Sequence, residues 1–291
     1  MLDWRSLYPF VSNYLPLDGA RLHYVDEGKR DGEPILFVHG NPTWSFHWRK
    51  LIGVLRANYR TIATDHVGCG LSDKPADYSY TLAQHTANLK KLVENLDLKN
   101  ITLVAQDWGG AIGMGVASEM PERFRRFVLF NTGAFRSTRM PWRIAACRIP
   151  VVGKIALQGL NLFQHAAFRM ALADPSKLSA AERAGYVAPY DSWANRQAIY
   201  RFVQDIPLRP SHPSYATLTK VEAGLSQFRD RPVQLIWGMQ DWCFSPHFLE
   251  RFLEFFPQAE AHRLAKAGHW VVEEAHEQIM PLMTEFLGRT K

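Results

Sequence analysis

The chain has 291 residues, of which 47% are apolar, 12% aromatic and 21% charged, a balance that excludes a disordered, fibrous or small disulfide-stapled protein. Its 34 basic and 28 acidic residues leave a net charge of +6, spread along the chain, so a nucleic-acid partner is not implied. The length suits two domains or one large α/β domain carrying an insertion.

In chain order, residues 14–25 alternate apolar and polar around Asp18-Gly19, which predicts a hairpin at an antiparallel sheet edge. Short apolar runs rich in β-branched residues follow at 35–38, 61–64, 101–105 and 127–130, and each predicts a strand. Between them, 46–55, 82–96 and 111–120 carry apolar residues at helical spacing. Strands alternating with helices predict an α/β fold with a mostly parallel, doubly wound sheet.

That pattern stops after Asn131. Residues 134–213 turn helical and aromatic and predict an inserted helical cap, leaving 1–133 and 214–291 as the core domain. The sheet pattern resumes with a strand at 233–237, a helix at 246–256, a strand at 261–264 and a last helix at 277–287. Within the cap, 144–173 is apolar and poor in acids, which suits the lining of a long pocket but equally suits cap packing or a subunit interface. Arg136, Arg139, Arg143 and Arg148 form the densest basic stretch; they read first as a solvated rim, and second as a membrane or partner patch.

Three widely spaced cysteines, Cys69, Cys147 and Cys243, fit neither a disulfide framework nor a metal site and suggest a reducing compartment. The opening residues show no basic segment followed by an apolar run, and no run of about 18 apolar residues occurs, so a cytoplasmic protein without a membrane span is expected.

The strand 101–105 runs through Gln106-Asp107-Trp108-Gly109-Gly110 directly into a helix. This arrangement resembles the nucleophile elbow of the α/β-hydrolases, usually G-x-S-x-G, with Asp107 in the serine position. Taken alone, Asp107 could equally be a helix N-cap. Two later segments raise the functional reading: Gly238-Met239-Gln240-Asp241 after a late strand and Ala267-Gly268-His269-Trp270 after the last one give the order nucleophile, acid, histidine of that fold. The other acid position, Asn131-Thr132-Gly133, holds no carboxylate, which leaves Asp241. The loop His39-Gly40-Asn41-Pro42-Thr43-Trp44 then sits where one backbone N–H of an oxyanion hole arises, the other being that of Trp108.

The segments HGNPTW, QDWGG, GMQD and AGHW, together with the place of the cap, resemble the haloalkane dehalogenases over nearly the whole chain. DHVGCGLSDKP at 65–75 and cap segments QGLNLF and APYDSW resemble their third subfamily, which is closely similar to the β-lactone decarboxylases of bacterial olefin biosynthesis. The resemblance implies a hydrolase that cleaves carbon–halogen bonds of apolar haloalkanes through an Asp107 ester, with His269 activating water, Asp241 orienting His269, and Asn41 and Trp108 holding the halide and oxyanion. The alternative it implies is decarboxylation of a β-lactone to an alkene with the same triad. No metal or organic cofactor is implied. The expected partners are a small apolar substrate, water and halide, with a homodimer as a further option and olefin-pathway enzymes if the alternative holds.

Neighbouring activities depart from this pattern. An epoxide hydrolase would draw acids from tyrosines such as Tyr186, Tyr190 and Tyr200, and a fluoroacetate dehalogenase would carry an arginine where Trp108 stands. No other strand-to-helix turn presents a serine for an esterase. A non-catalytic binding protein would have little use for Asp107, Asp241 and His269 together.

Overall fold

The computed structural model describes residues 3–290. Its sheet opens with β1 (Ser12–Leu17) and β2 (Ala20–Gly28), antiparallel and joined at Asp18 and Gly19, where Gly19 takes φ 74°. A residue without Cβ adopts that backbone at little cost. β3 (Pro34–Val38), β4 (Arg60–Thr64), β5 (Ile101–Asp107), β6 (Phe124–Thr132), β7 (Val233–Gly238) and β8 (Glu260–Leu264) complete eight strands in the order β1-β2-β4-β3-β5-β6-β7-β8. β2 meets β4 antiparallel, and the remaining neighbours run parallel. β3 is buried along its whole length and β5 up to its last residue, because helices cover both faces of the sheet; this is why both read as unbroken apolar runs.

The expected strands are all present, longer by one to five residues. The helices depart more. The helix expected at 111–120 spans Trp108–Glu119, because Gly109 and Gly110 weaken the helical signal at positions where nothing larger fits. A Cβ on Gly109 would lie 2.0 Å from the Val38 carbonyl oxygen, and one on Gly110 2.0 Å from Thr132 Oγ1. The last helix runs Val271–Arg289 rather than from 277, with a kink at Ala275 (φ −131°) that breaks its periodicity. The segment 46–55 divides into a 3₁₀ turn, Ser45–Trp48, and a helix, Arg49–Leu55. A helix at Tyr215–Gly224, not anticipated from the pattern, packs on Trp108–Glu119 through Leu218 and Val221.

Between Thr132 and Val233 the described residues form helices and turns only, chiefly Trp142–Cys147, Leu162–Met170, Ala180–Val187 and Gln197–Gln204. Ser179 and Glu182 close a capping box on the third of these. The segment is joined to the sheet side by aromatic contact: Tyr186 stacks on Trp270 at 4.5 Å between ring centroids, and Phe202 meets Trp108 at 5.3 Å. Among the described residues no helix is long and apolar enough to cross a membrane.

Candidate active site

Asp107 ends β5 with φ 53° and ψ −128°, a backbone that a non-glycine residue holds only where the surroundings enforce it. Its side chain makes no N-cap hydrogen bond to the following helix. Instead Oδ1 accepts the backbone N–H of Asn41 at 2.7 Å, and the backbone N–H of Trp108 also supports the carboxylate. The Thr132 hydroxyl donates to the Asp107 carbonyl and steadies the turn from the neighbouring strand. Gly40 leaves the loop close enough for the Asn41 bond, since a Cβ there would lie 2.1 Å from Asp107 Oδ1.

The second carboxylate oxygen, Oδ2, faces His269 Nε2 at 3.7 Å. His269 Nδ1 lies 2.7 Å from Asp241 Oδ2, and Asp241 Oδ1 accepts the backbone N–H groups of Cys243 at 2.6 Å and Phe244 at 3.1 Å. The three residues that the sequence singled out at 107, 241 and 269 therefore meet. Asn131, in the position without a carboxylate, has another use: its amide donates to the Gly238 carbonyl and accepts the Gly238 N–H, tying β6 to the loop that carries Asp241.

Burial raises the Asp107 carboxyl above its ordinary value, opposed by His269 and the two backbone N–H groups. Burial alone would lower His269, but the charge and hydrogen bond of Asp241, with Asp107 beyond, raise it above its ordinary 6.5. The arrangement can stabilise positive charge developing on His269.

The two side-chain donors expected beside Asp107 differ. Both line the cavity. The Trp108 indole N–H has no protein partner among the described residues, whereas Asn41 commits one amide N–H to the Ile199 carbonyl at 3.2 Å. Asn41 thus brings its backbone N–H and one remaining amide N–H. The tyrosines that would serve an epoxide hydrolase are turned away from Asp107: Tyr186 donates to Glu273, Tyr190 donates to the Thr43 carbonyl and accepts the Gly70 N–H, and none of Tyr186, Tyr190 and Tyr200 lines the cavity.

Above Asp107 opens a cavity of about 360 Å³ with predominantly apolar walls. Ile144, Leu157, Phe163, Ala167 and Met170 come from the stretch expected to line a long pocket, and Phe135, Leu218 and Phe248 from outside it. Arg139 and Arg143 also border it, while Arg136 pairs with Glu222 and Arg148 donates to the Val203 and Ile206 carbonyls.

One polar chain was invisible in the sequence. Gln106, beside Asp107, donates to the His269 carbonyl and contacts His47 Nε2; His47 Nδ1 meets Tyr186 Oη at 2.7 Å, and Tyr186 reaches Glu273, itself paired with buried Arg49. Burial lowers His47 to about 4, so it is neutral. A Gln between an apolar strand and an Asp was the only available signal, and a buried polar residue at a strand end has many uses.

The profile of the α/β-hydrolase fold family matches residues 33–276. The chain belongs to this family. It is 41% identical over 100% of its length, and 92% of the relative's, to the cis-3-alkyl-4-alkyloxetan-2-one decarboxylase of Shewanella oneidensis. It is 34% identical to haloalkane dehalogenase 2 of Mycobacterium tuberculosis, over 97% of each chain. Among solved structures, the haloalkane dehalogenase DatA of Agrobacterium tumefaciens superposes with a TM-score of 0.86 at 29% identity, covering 97% of each chain. This α/β-hydrolase is thus related to both β-lactone decarboxylases and haloalkane dehalogenases.

Proposed function

We propose that this α/β-hydrolase decarboxylates a cis-dialkyl β-lactone to an alkene, with Asp107 as the catalytic nucleophile. The observation that carries the chemistry is a carboxylate whose Oδ1 accepts the Asn41 backbone N–H while Oδ2 faces His269 at the base of an apolar cavity. The choice of lactone over haloalkane is supported by the higher identity to a relative named for that reaction, 41% against 34%. The helical segment 134–213 acts as a cap that shields the alkyl chains from water.

Asp107 Oδ2 attacks the saturated ring carbon bonded to the ring oxygen. That carbon–oxygen bond breaks and its electron pair stays with the released substrate carboxylate. The carbon–carboxylate bond then breaks, its pair forms the double bond, and the Asp107–carbon bond breaks to return the carboxylate. Carbon dioxide and alkene account for every atom of the lactone, and neither water nor a proton is consumed. Trp108 Nε1–H, the remaining Asn41 amide N–H and the imidazolium of His269 are the donors available to the released carboxylate, and Asp241 orients His269.

A second reading, carbon–halogen cleavage, is favoured by the unpartnered Trp108 indole N–H and the Asn41 amide, two donors suited to a departing halide. There Asp107 forms an alkyl ester, water attacks its carbonyl with His269 taking the proton, and the oxyanion on Oδ1 faces the Asn41 and Trp108 backbone N–H groups.

The test is kcat/KM for a cis-dialkyl β-lactone and for a 1-bromoalkane, with products identified by gas chromatography and Asp107→Ala as the blank. Preference for the lactone with alkene as product is expected. Preference for the bromide by several powers of ten overturns the proposal in favour of the second reading. Turnover of neither, with ligand affinity kept in Asp107→Asn, would make the protein a binder.

A further inference from the structure

A face of the helical segment 134–213 is apolar, exposed and basic at once. Trp142 is 75% exposed, Val151 69% and Leu160 61%, with Ile149, Val152 and Trp193 also in the open. Soluble surfaces scatter such residues singly, and a contiguous group marks a surface that meets something. The group is contiguous here. Gly153 sits against the Cys147 carbonyl, which ties the turn at 149–152 to helix Trp142–Cys147; Lys154 lies over the Trp193 ring at 5.8 Å, and Gly159 packs against the same ring.

The turn that presents the valines is strained. Val151 has φ 64° and ψ −59°, and the Val152 N–H donates to the Pro150 carbonyl at 2.7 Å, closing a three-residue γ-turn. A β-branched residue at positive φ is an outlier that a chain retains where its direction matters. Here the direction puts two valines into solvent.

The charge says what covers this face. Between 134 and 173 the chain has six basic residues and no acidic one. Arg143 stacks over Trp142 and Trp242. Beside Trp193 a second, polar cavity of about 320 Å³ is lined by Lys154, Arg201, Gln158, Gln197 and Tyr200, and neither cation there has a carboxylate partner among the described residues. Asp191, the acid nearest in sequence to Trp193, accepts from Asn195. The apolar cavity above Asp107 is bordered by Arg143 and by half-exposed Leu162, so it reaches this same face.

We infer that this face docks on an anionic lipid bilayer, with Trp142, Val151, Val152 and Leu160 entering the headgroup boundary and Arg143, Lys154 and Arg201 meeting lipid phosphates. Exposed apolar tips with unpaired cations beside them bind such surfaces by burial and charge together. Docked so, the active-site cavity opens toward the acyl layer, and an apolar substrate passes between bilayer and enzyme without crossing water.

The experiment reads lipid binding by the full chain, so it stands apart from the chemistry proposed above. Cosedimentation is measured with vesicles of phosphatidylcholine alone and of phosphatidylcholine mixed equally with phosphatidylglycerol, at low and high salt. Binding to the mixed vesicles that weakens with salt is expected. It should fall at least about tenfold in a Trp142→Ser, Val151→Ser, Val152→Ser, Leu160→Ser variant of unchanged melting temperature, and severalfold in Lys154→Glu, which leaves the apolar tip intact. Absence of vesicle binding by the parent chain, or equal binding by the serine variant, overturns the inference. If the parent binds no vesicles and sediments as an oligomer that the serine variant dissolves, the face joins copies of the chain instead.

Discussion

Glu273 offers a quantitative test of how the helix after His269 is anchored. Its carboxylate is fully buried, paired through both oxygens with Arg49 and through Oε2 with Lys50 at 3.0 Å, and it accepts from the Tyr186 hydroxyl at 2.6 Å. Burial by itself would raise its pKa, but the charge and hydrogen bonds of Arg49 overcome this and hold the group at about 2, against an ordinary 4.5. At about 1.4 kcal/mol for each pH unit between those values, the ionised carboxylate contributes about 3 kcal/mol at neutral pH. Because the folded-state pKa is depressed, that contribution is complete above the unfolded value of 4.5 and is lost as pH falls toward 2. Glu273→Gln keeps the shape, and Glu182 remains as a partner for Arg49 and Lys50, so no bare cation is stranded. With an unfolding entropy of about 0.6 kcal/mol per kelvin for a chain of this length, the variant should melt roughly 5 °C lower at neutral pH. Thermal unfolding by circular dichroism at about pH 7 and about pH 3 reads both the gap and its pH dependence, and less than half of the gap should survive at the lower pH. A variant that melts within about one degree of the parent at neutral pH, or whose gap is the same at both, refutes the reasoning.

With a bromoalkane, His269→Phe should accumulate an ester on Asp107, visible as a mass increment on the intact chain, whereas the lactone route needs no proton and should keep measurable turnover; full turnover of bromide in this variant would exclude the hydrolytic scheme. On bromide, His269 must be neutral to take a proton from water, so with its pKa raised the rate should fall as pH drops through a midpoint above 6.5, and a midpoint below that value would contradict the Asp241 pairing. Trp108→Phe should slow carbon–halogen cleavage by roughly a hundredfold with little change in substrate binding, as for a lost transition-state donor, and pre-steady-state kinetics distinguishes the two. Gly40→Ala puts a Cβ 2.1 Å from Asp107 Oδ1 and should cost turnover by orders of magnitude in a protein that still folds; wild-type kcat would show that the loop shifts freely.

The eight strands, the mostly parallel sheet and the strand-to-helix turn at Asp107 were legible because each depends on local pattern: β-branched runs buried on both faces, helical spacing between them, and glycines where backbone must pass close. Asp241 and His269 were legible for a related reason, since loops at the carboxyl ends of parallel strands converge on one edge of the sheet. Helix Tyr215–Gly224 and the kinked start of Val271–Arg289 were not, because neither shows a clean period. Nor was the chain from His269 through Gln106, His47 and Tyr186 to Glu273, whose members lie up to 226 positions apart. The sequence by itself determined which residues could react, because chemistry resides in residue type and chain order. Only the tertiary structure decided what each one faces: that Asn41 spends an amide N–H on Ile199, that the tyrosines turn away from Asp107, and that Arg143 and Lys154 lie against exposed tryptophans beside bare valines. Direction is set by packing between segments distant in sequence, and no local pattern encodes it.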